Sequence, residues 1–214
     1  MVKVRVVYEK KEPARFVGHL DILRTFIRSF MRAGIKVKYS EGFNPHASIT
    51  FLLPIGVGVT SECEVFDVTI DEEVLNLIDF SKNLADSLPA GFGIRECRVV
   101  HNKLPEVCKA YYEIELKSKT PIIRDEIVDA ISMTEINVEK RSKKQIKTVN
   151  IMEHIFDFKI ESLEGNMLKA GVLLSAGNTF NIKPELVFDG LSSVINSLEV
   201  EQIKPHRKYF MYAD

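Results

Sequence analysis

The chain opens on an alternation, with Val2, Val4 and Val6 set between Lys3 and Arg5, the period-two pattern of a strand with one buried face. From residue 19 to 33 the period changes. Leu20, Leu23, Phe26, Ile27, Phe30 and Met31 recur at three- and four-residue spacing, predicting a helix that stops with Gly34 at C′. A short strand is expected over 35–39, a loop over 40–46, and strands near 49–53 and 64–70. Pro54-Ile-Gly-Val-Gly58 separates the last two. Asp71 is expected to cap an acidic helix over 72–80, with more helix after Ser81, and a strand near 94–100 closes the first half. The order β-α-β-β-β-α-β is that of a ferredoxin-like split βαβ with one added strand.

The second half repeats the plan in element order, with no sequence identity to the first. Residues 111–116 alternate as a strand. Pro121 is expected to open a helix whose apolar face is Ile123, Ile127, Val128 and Ile131. Strands are expected near 136–139, 146–151, 156–160 and 168–174, then a helix from Pro184 to 197 and a closing strand over 200–203. The expected fold is α+β: two ferredoxin-like (split βαβ) domains in tandem, 1–104 and 105–214. Each would have an antiparallel or mixed sheet with helices on one face.

Composition narrows the class. The 214 residues are 45% hydrophobic, enough for a packed core and too much for a disordered chain. No apolar run approaches the roughly 18 residues that span a bilayer, and MVKVRVVYEK is not the apolar core of a signal peptide. Cys63, Cys97 and Cys108 are odd in number and far apart. They make neither a CxxC zinc pair nor a disulfide framework, which points to a reducing cytoplasm.

Charge changes the picture more. The net charge of −1 hides an asymmetry: residues 1–50 hold ten Lys/Arg against four Asp/Glu, and residues 51–108 hold four against ten. Two readings stay open, a polyanion site or a basic face screened by its acidic neighbour. On a helical wheel Asp21, Arg24, Arg28 and Arg32 share one quarter of the surface, a ridge able to meet phosphates bidentately. The alternative is a solvated face, with Asp21 pairing Arg24 and Arg32 suiting the C-terminal dipole.

The loop Ser40-Glu41-Gly42-Phe43-Asn44-Pro45-His46 is dense in special residues. Gly42 permits positive φ and Pro45 stiffens the exit. Phe43 could stack on a base and Asn44 could read a base edge; the alternative is a structural turn with Phe43 in the core. His46 and His19 are candidate general bases toward a ribose 2′-hydroxyl, although His19 falls on the apolar side of its helix. No metal motif accompanies them, and no metal or cofactor is expected. Gly56-Val-Gly58 is too short for a dinucleotide fingerprint. The runs 139–147 and 204–210 are cationic: the first reads as a solvated hairpin or an RNA-contacting edge, the second as a similar patch or a final strand with a basic outer face.

Taken together, Ala14-Arg-Phe-Val-Gly-His-Leu-Asp-Ile-Leu-Arg24, Arg32-Ala-Gly34, Tyr39-Ser-Glu-Gly-Phe-Asn-Pro-His46, Leu53-Pro-Ile-Gly56 and Ser61-Glu-Cys-Glu64 resemble one family. It is the radical-SAM-linked protein family, a bacterial domain of unknown function often fused to, or encoded beside, a cobalamin-binding radical SAM protein. The resemblance is dense over residues 8–70. Met31 departs from it where members carry the first arginine of RRA, and Ala47 where proline is frequent. No CxxxCxxC is present to ligate an iron–sulfur cluster, so the resemblance implies an accessory domain. The residues and the resemblance together lead to the expectation of a cytoplasmic protein that binds RNA (tRNA, rRNA or a ribonucleoprotein) for a separate radical SAM enzyme, with no membrane partner. Arg15, Arg24, Arg28 and Arg32 would clamp phosphates, and Phe43, Asn44 and His46 would engage a base or ribose. Two alternatives stand beside it: a metal-independent ribonuclease or nucleotide-modifying enzyme using His46 or His19, and a protein–protein adaptor for the radical SAM partner.

Overall fold

In a computed structural model, which describes residues 1–141, 146–177 and 180–213, the alternating N-terminus forms β1 (Val2–Lys10). It is followed by α1 (His19–Arg32), β2 (Ile49–Phe51), β3 (Thr60–Ile70), α2 (Leu77–Asp86) and β4 (Phe92–Val99). These elements make one compact unit, Met1–Glu106. Its strands run in the order β4-β1-β3-β2, each pair antiparallel. One face of the sheet sends Val4, Val6, Tyr8, Phe66, Val68 and Ile70 into the core, where they meet Ile22, Phe26 and Phe30 of α1 and Phe80 and Leu84 of α2. Phe26 is the hub, edge-on to Tyr8 at 4.8 Å and to Phe66 at 4.7 Å between ring centroids. On the other face Arg5 sits opposite Asp67. Both are buried, and Nε and Nη2 of Arg5 donate to the two carboxylate oxygens at 2.8 and 3.0 Å.

Three expectations for this half are corrected. The strand over 35–39 reduces to two isolated bridges, Val37 to Ile70 and Tyr39 to Ala47, because β2 already pairs with Phe66, Asp67 and Val68 on that side of β3. The second helix begins at Leu77, not after Asp71. Asp71 is held by its N–H to the Lys36 carbonyl, while Asn76 caps α2, its Oδ1 accepting from the Ile78 and Asp79 N–H groups. The core face of α1 is also rotated from the expected one: Leu20 and Met31 are 65% and 72% exposed, while Ile22 is buried.

The second unit, Val107–Asp214, contains β5 (Val107–Ser118), α3 (Arg124–Ile131), the hairpin strands β6 (Asn137–Arg141) and β7 (Ile146–Asn150), β8 (Ile155–Glu164), β9 (Met167–Ser175), α4 (Pro184–Ser192) and β10 (Val200–Tyr212). Its main strands run β10-β5-β9-β8, all antiparallel, so each unit is α+β with an antiparallel sheet. In the cationic run 139–147, residues 142–145 lie outside the described residues and the flanks form the expected hairpin. α3 opens at Arg124 and buries Ile127 and Ala130, leaving Ile123 and Val128 exposed. α4 stops at Ser192 because the chain beyond it turns to bury Ile195 and Leu198. The closing strand runs to Tyr212. Within it Arg207 is 3% exposed, with Nε donating to the Tyr112 hydroxyl, so the run 204–210 is not a uniformly basic outer face. No helix among the described residues is long and apolar enough to cross a membrane.

His154 stacks on Phe180 at 3.9 Å, its Nδ1 lies 3.0 Å from the Ser175 hydroxyl, and the Lys140 ammonium sits over the same Phe180 ring. Burial holds the imidazole below the ordinary histidine range; Glu153 pulls the other way and Lys140 adds to the lowering.

Two outcomes are expected. Asn76→Ala lowers unfolding free energy by about 1 kcal/mol through loss of the cap, whereas Asp71→Ala changes it by less than about 0.5 kcal/mol, both read by chemical denaturation. Because the folded state favours neutral His154, it binds fewer protons than the unfolded chain. The contribution is full above about pH 6.5 and is lost as pH falls through that range. His154→Gln flattens this acid-side slope relative to wild type.

Candidate nucleic-acid interface

The segment leading into α1 is fixed by an unusual burial. Lys10, the last residue of β1, is fully buried, and its ammonium donates to the carbonyls of Arg15 and Gly56, each at 3.0 Å. Arg15 Nε in turn donates to the Gly58 carbonyl at 2.8 Å, while the Gly58 N–H returns a bond to the Arg15 carbonyl. A buried ammonium needs such partners, since unsatisfied it would cost several kcal/mol. The result staples the start of α1 to the Gly56–Gly58 turn. Arg15 is 6% exposed; its guanidinium serves this staple and does not reach solvent with the helix ridge.

The ridge itself divides. Arg24 is exposed and pairs with Asp21 at 3.0 Å, a contact worth little in water. Arg28 is exposed and has no ion-pair or hydrogen-bond partner among the described residues. Arg32 is a latch: Nε and Nη2 donate to the Ser87 carbonyl at 3.2 and 2.6 Å, and Nη2 also donates to the Ser29 hydroxyl at 2.9 Å. It ties the end of α1 to the end of α2. Arg32 is exposed as well, so what sets Arg24 and Arg28 apart is that no hydrogen bond among the described residues ties them to another element; exposed Leu20 and Met31 flank them.

The loop 40–46 closes on itself. The Ser40 N–H donates to the His46 carbonyl at 2.8 Å, the His46 N–H donates to the Ser40 hydroxyl at 2.9 Å, and the Tyr39–Ala47 bridge lies just outside. Gly42 takes φ +124°, a conformation that side chains disfavour. Phe43 is fully exposed at 112% of its reference surface, which overturns the alternative that it fills the core. Asn44, Pro45 and His46 are exposed beside it. His19 is elsewhere, half-buried at the start of α1 and edge-on to Phe51 at 4.9 Å. Thus Phe43, Asn44 and His46 are neighbours on one loop, and Arg24 and Arg28 are neighbours on one helix. Among the described residues no hydrogen bond, ion pair or ring contact joins the two, or joins His19 to His46.

Three further residues escaped the sequence reading. Lys3, Asp67 and Lys103 line one cavity with Ser48, Thr50, Thr69 and Leu104. They come from separated segments and match no motif. The only signal is that polar side chains alternate with the core valines of β1 and β3. Among the described residues no group of three or more His, Cys, Asp or Glu side chains is placed to hold a metal ion. Burial pushes the Cys97 thiol up, against a lowering hydrogen bond from Ser81, which disfavours the thiolate.

No curated protein matches the chain. Among solved structures it is similar to a chain of a Cbf5-Nop10-Gar1 complex, with TM-score 0.52 and 9% identity over 97% of this chain and 50% of that one. It is similar also to a chain of an H/ACA RNP bound to a substrate RNA containing 2′-deoxyuridine, with TM-score 0.52 and 10% identity over 100% of this chain and 49% of that one. A chain of an archaeal box H/ACA sRNP Nop10-Cbf5 complex gives TM-score 0.50 and 8% identity over 97% and 49%. The protein spans about half the length of these chains, and at such identities the likeness is one of fold. Residues 3–184, which include α1, the loop 40–46 and the lysine staple, match the family described as an uncharacterized protein conserved in bacteria (DUF2344), and the chain belongs to that family.

Proposed function

We propose that this protein is a cytoplasmic RNA-binding accessory protein built on two ferredoxin-like domains in tandem, 1–104 and 105–214, and working with a separate radical SAM enzyme on tRNA, rRNA or a ribonucleoprotein. The observation that carries the RNA reading is Phe43, fully exposed on a loop whose own hydrogen bonds hold it shut. A large apolar ring left in water on a closed loop suits stacking on an unpaired base. Asn44 and His46, exposed beside it, offer hydrogen-bonding groups for a base edge or ribose. Arg28, unpartnered among the described residues, and Arg24, held there by a surface pair with Asp21, supply phosphate contacts. Support also comes from fold neighbours, one of which is a chain of a particle bound to a substrate RNA. The repeated element order supports the tandem domains, and the resemblance of residues 8–70 supports the radical SAM partner.

A second reading is favoured by one observation. Leu20 and Met31 are exposed beside Arg24 and Arg28, a mixed apolar and cationic strip that suits a protein partner. Co-purification of the radical SAM enzyme that survives ribonuclease and fails on Arg24→Glu supports that adaptor role.

Filter binding of single-stranded RNA across a salt series tests the RNA reading. Wild-type affinity falls with salt, and Arg24→Ala/Arg28→Ala lowers the slope by roughly 0.7 per lost phosphate contact. Phe43→Ala costs about 1–3 kcal/mol at every salt concentration and leaves the slope unchanged. No binding at low salt, or binding indifferent to all three substitutions, overturns it.

A further inference from the structure

The face of the first unit's sheet that carries Arg5 and Asp67 also carries a cavity. In register, Lys3 lies opposite Thr69, and Asp67 lies between Arg5 on one side and Thr50 on the other. Alternation sends Val4, Phe66 and Val68 into the core and these residues to the opposite face. After β4 the Val100 N–H donates to the Lys3 carbonyl at 3.0 Å, returning the chain to β1 and bringing Lys103 and Leu104 to the same place. Together with Ser48 they line an open pocket of about 310 Å³, at the lower end of the volumes that hold small ligands.

Charge decides what fits there. Lys3 and Lys103, both in the cavity lining, have no ion-pair or hydrogen-bond partner among the described residues. The one carboxylate lining it, Asp67, is already balanced by Arg5. Three hydroxyls, from Ser48, Thr50 and Thr69, complete the polar wall, and Ser48 and Thr69 are 3.1 Å apart. Leu104 is the single large apolar side chain in the lining, and no aromatic ring is present, so a base has nothing to stack on. A phosphate meets two cations and hydroxyl donors. Each Asp67 oxygen accepts one bond from Arg5 and keeps a lone pair for a sugar hydroxyl.

We propose that this cavity binds the ribose phosphate of a ribonucleotide, with the phosphate between Lys3 and Lys103 and the sugar hydroxyls on Asp67. The choice of a ribonucleotide rests on the RNA reading above; the anion chemistry does not. The source is either a free nucleotide or a phosphorylated RNA end. Ser48 directly follows Ala47, whose bridge to Tyr39 closes the loop carrying Phe43, so the cavity lies at the foot of that loop.

Calorimetric titration of the full chain with UMP, dUMP and uridine tests the site. UMP binds, uridine binds at least about ten-fold more weakly for want of the phosphate, and dUMP is weakened about three-fold or more. Lys103→Ala, on an exposed segment, lowers UMP affinity at least about five-fold. Asp67→Asn can unfold the sheet, so Thr50→Val serves as the second variant and is expected to weaken UMP measurably. Equal affinity for UMP and uridine, or UMP binding unchanged by Lys103→Ala, overturns the proposal. A short RNA bearing a 5′-phosphate that outbinds its unphosphorylated form, with the gain lost in Lys103→Ala, assigns the site to RNA ends; UMP binding without that gain assigns it to free nucleotide. RNA binding without phosphate-dependent UMP binding rejects the cavity alone, and the converse rejects the RNA reading alone.

Discussion

Arg5 and Asp67 form a charge pair on a sheet face, both buried and joined through two hydrogen bonds. Such a pair adds little net stability over an apolar one, but leaving either member alone costs about 3–5 kcal/mol. It therefore acts as a register lock between β1 and β3. A slip of one residue would carry Arg5 to the core face and Val4 and Val6 away from it. The ring cluster around Phe26, the seating of α1 over it, and the positions of Lys3 and Thr69 on the opposite face all presuppose this register.

The same pair explains how a basic segment followed by an acidic one folds. Of the ten basic residues in positions 1–50, Arg5, Lys10 and Arg15 are buried, and Arg32 is occupied by a carbonyl. Part of the apparent polycation is thus internal wiring that crosslinks β1, the start of α1 and the turn at Gly56–Gly58. What reaches the surface is a smaller set of charges than the sequence count implies, and the near-zero total charge gives no general attraction for anions.

Local signals were legible where local physics decides. The heptad-like spacing of α1, the positive φ of Gly34 and the loop 40–46 follow from side-chain periodicity and backbone freedom alone. Signals failed where a distant partner competes. Asp71 and Asn76 are both good caps by type, and only the hydrogen bond from Asp71 to Lys36 selects the second. Lys10 and Arg15 look like surface residues until the carbonyls of Gly56 and Gly58 are brought to them. Phe43 was open to either reading because a lone aromatic beside glycine and proline fits a core or a tip equally well. The cavity was invisible for the same reason, its lining being assembled only when strands pair.

The self-closure of the loop has a consequence for protein engineering. Its ends are held by Ser40 and His46 and by the Tyr39–Ala47 bridge, and its tip contributes nothing to the core. Apart from Gly42, whose positive φ disfavours a side chain, residues 41–45 are therefore decoupled from folding, and substitutions among them alter what the loop contacts at little thermodynamic cost to the domain. A different tip can therefore be grafted between Gly42 and His46 without rebuilding the sheet beneath it.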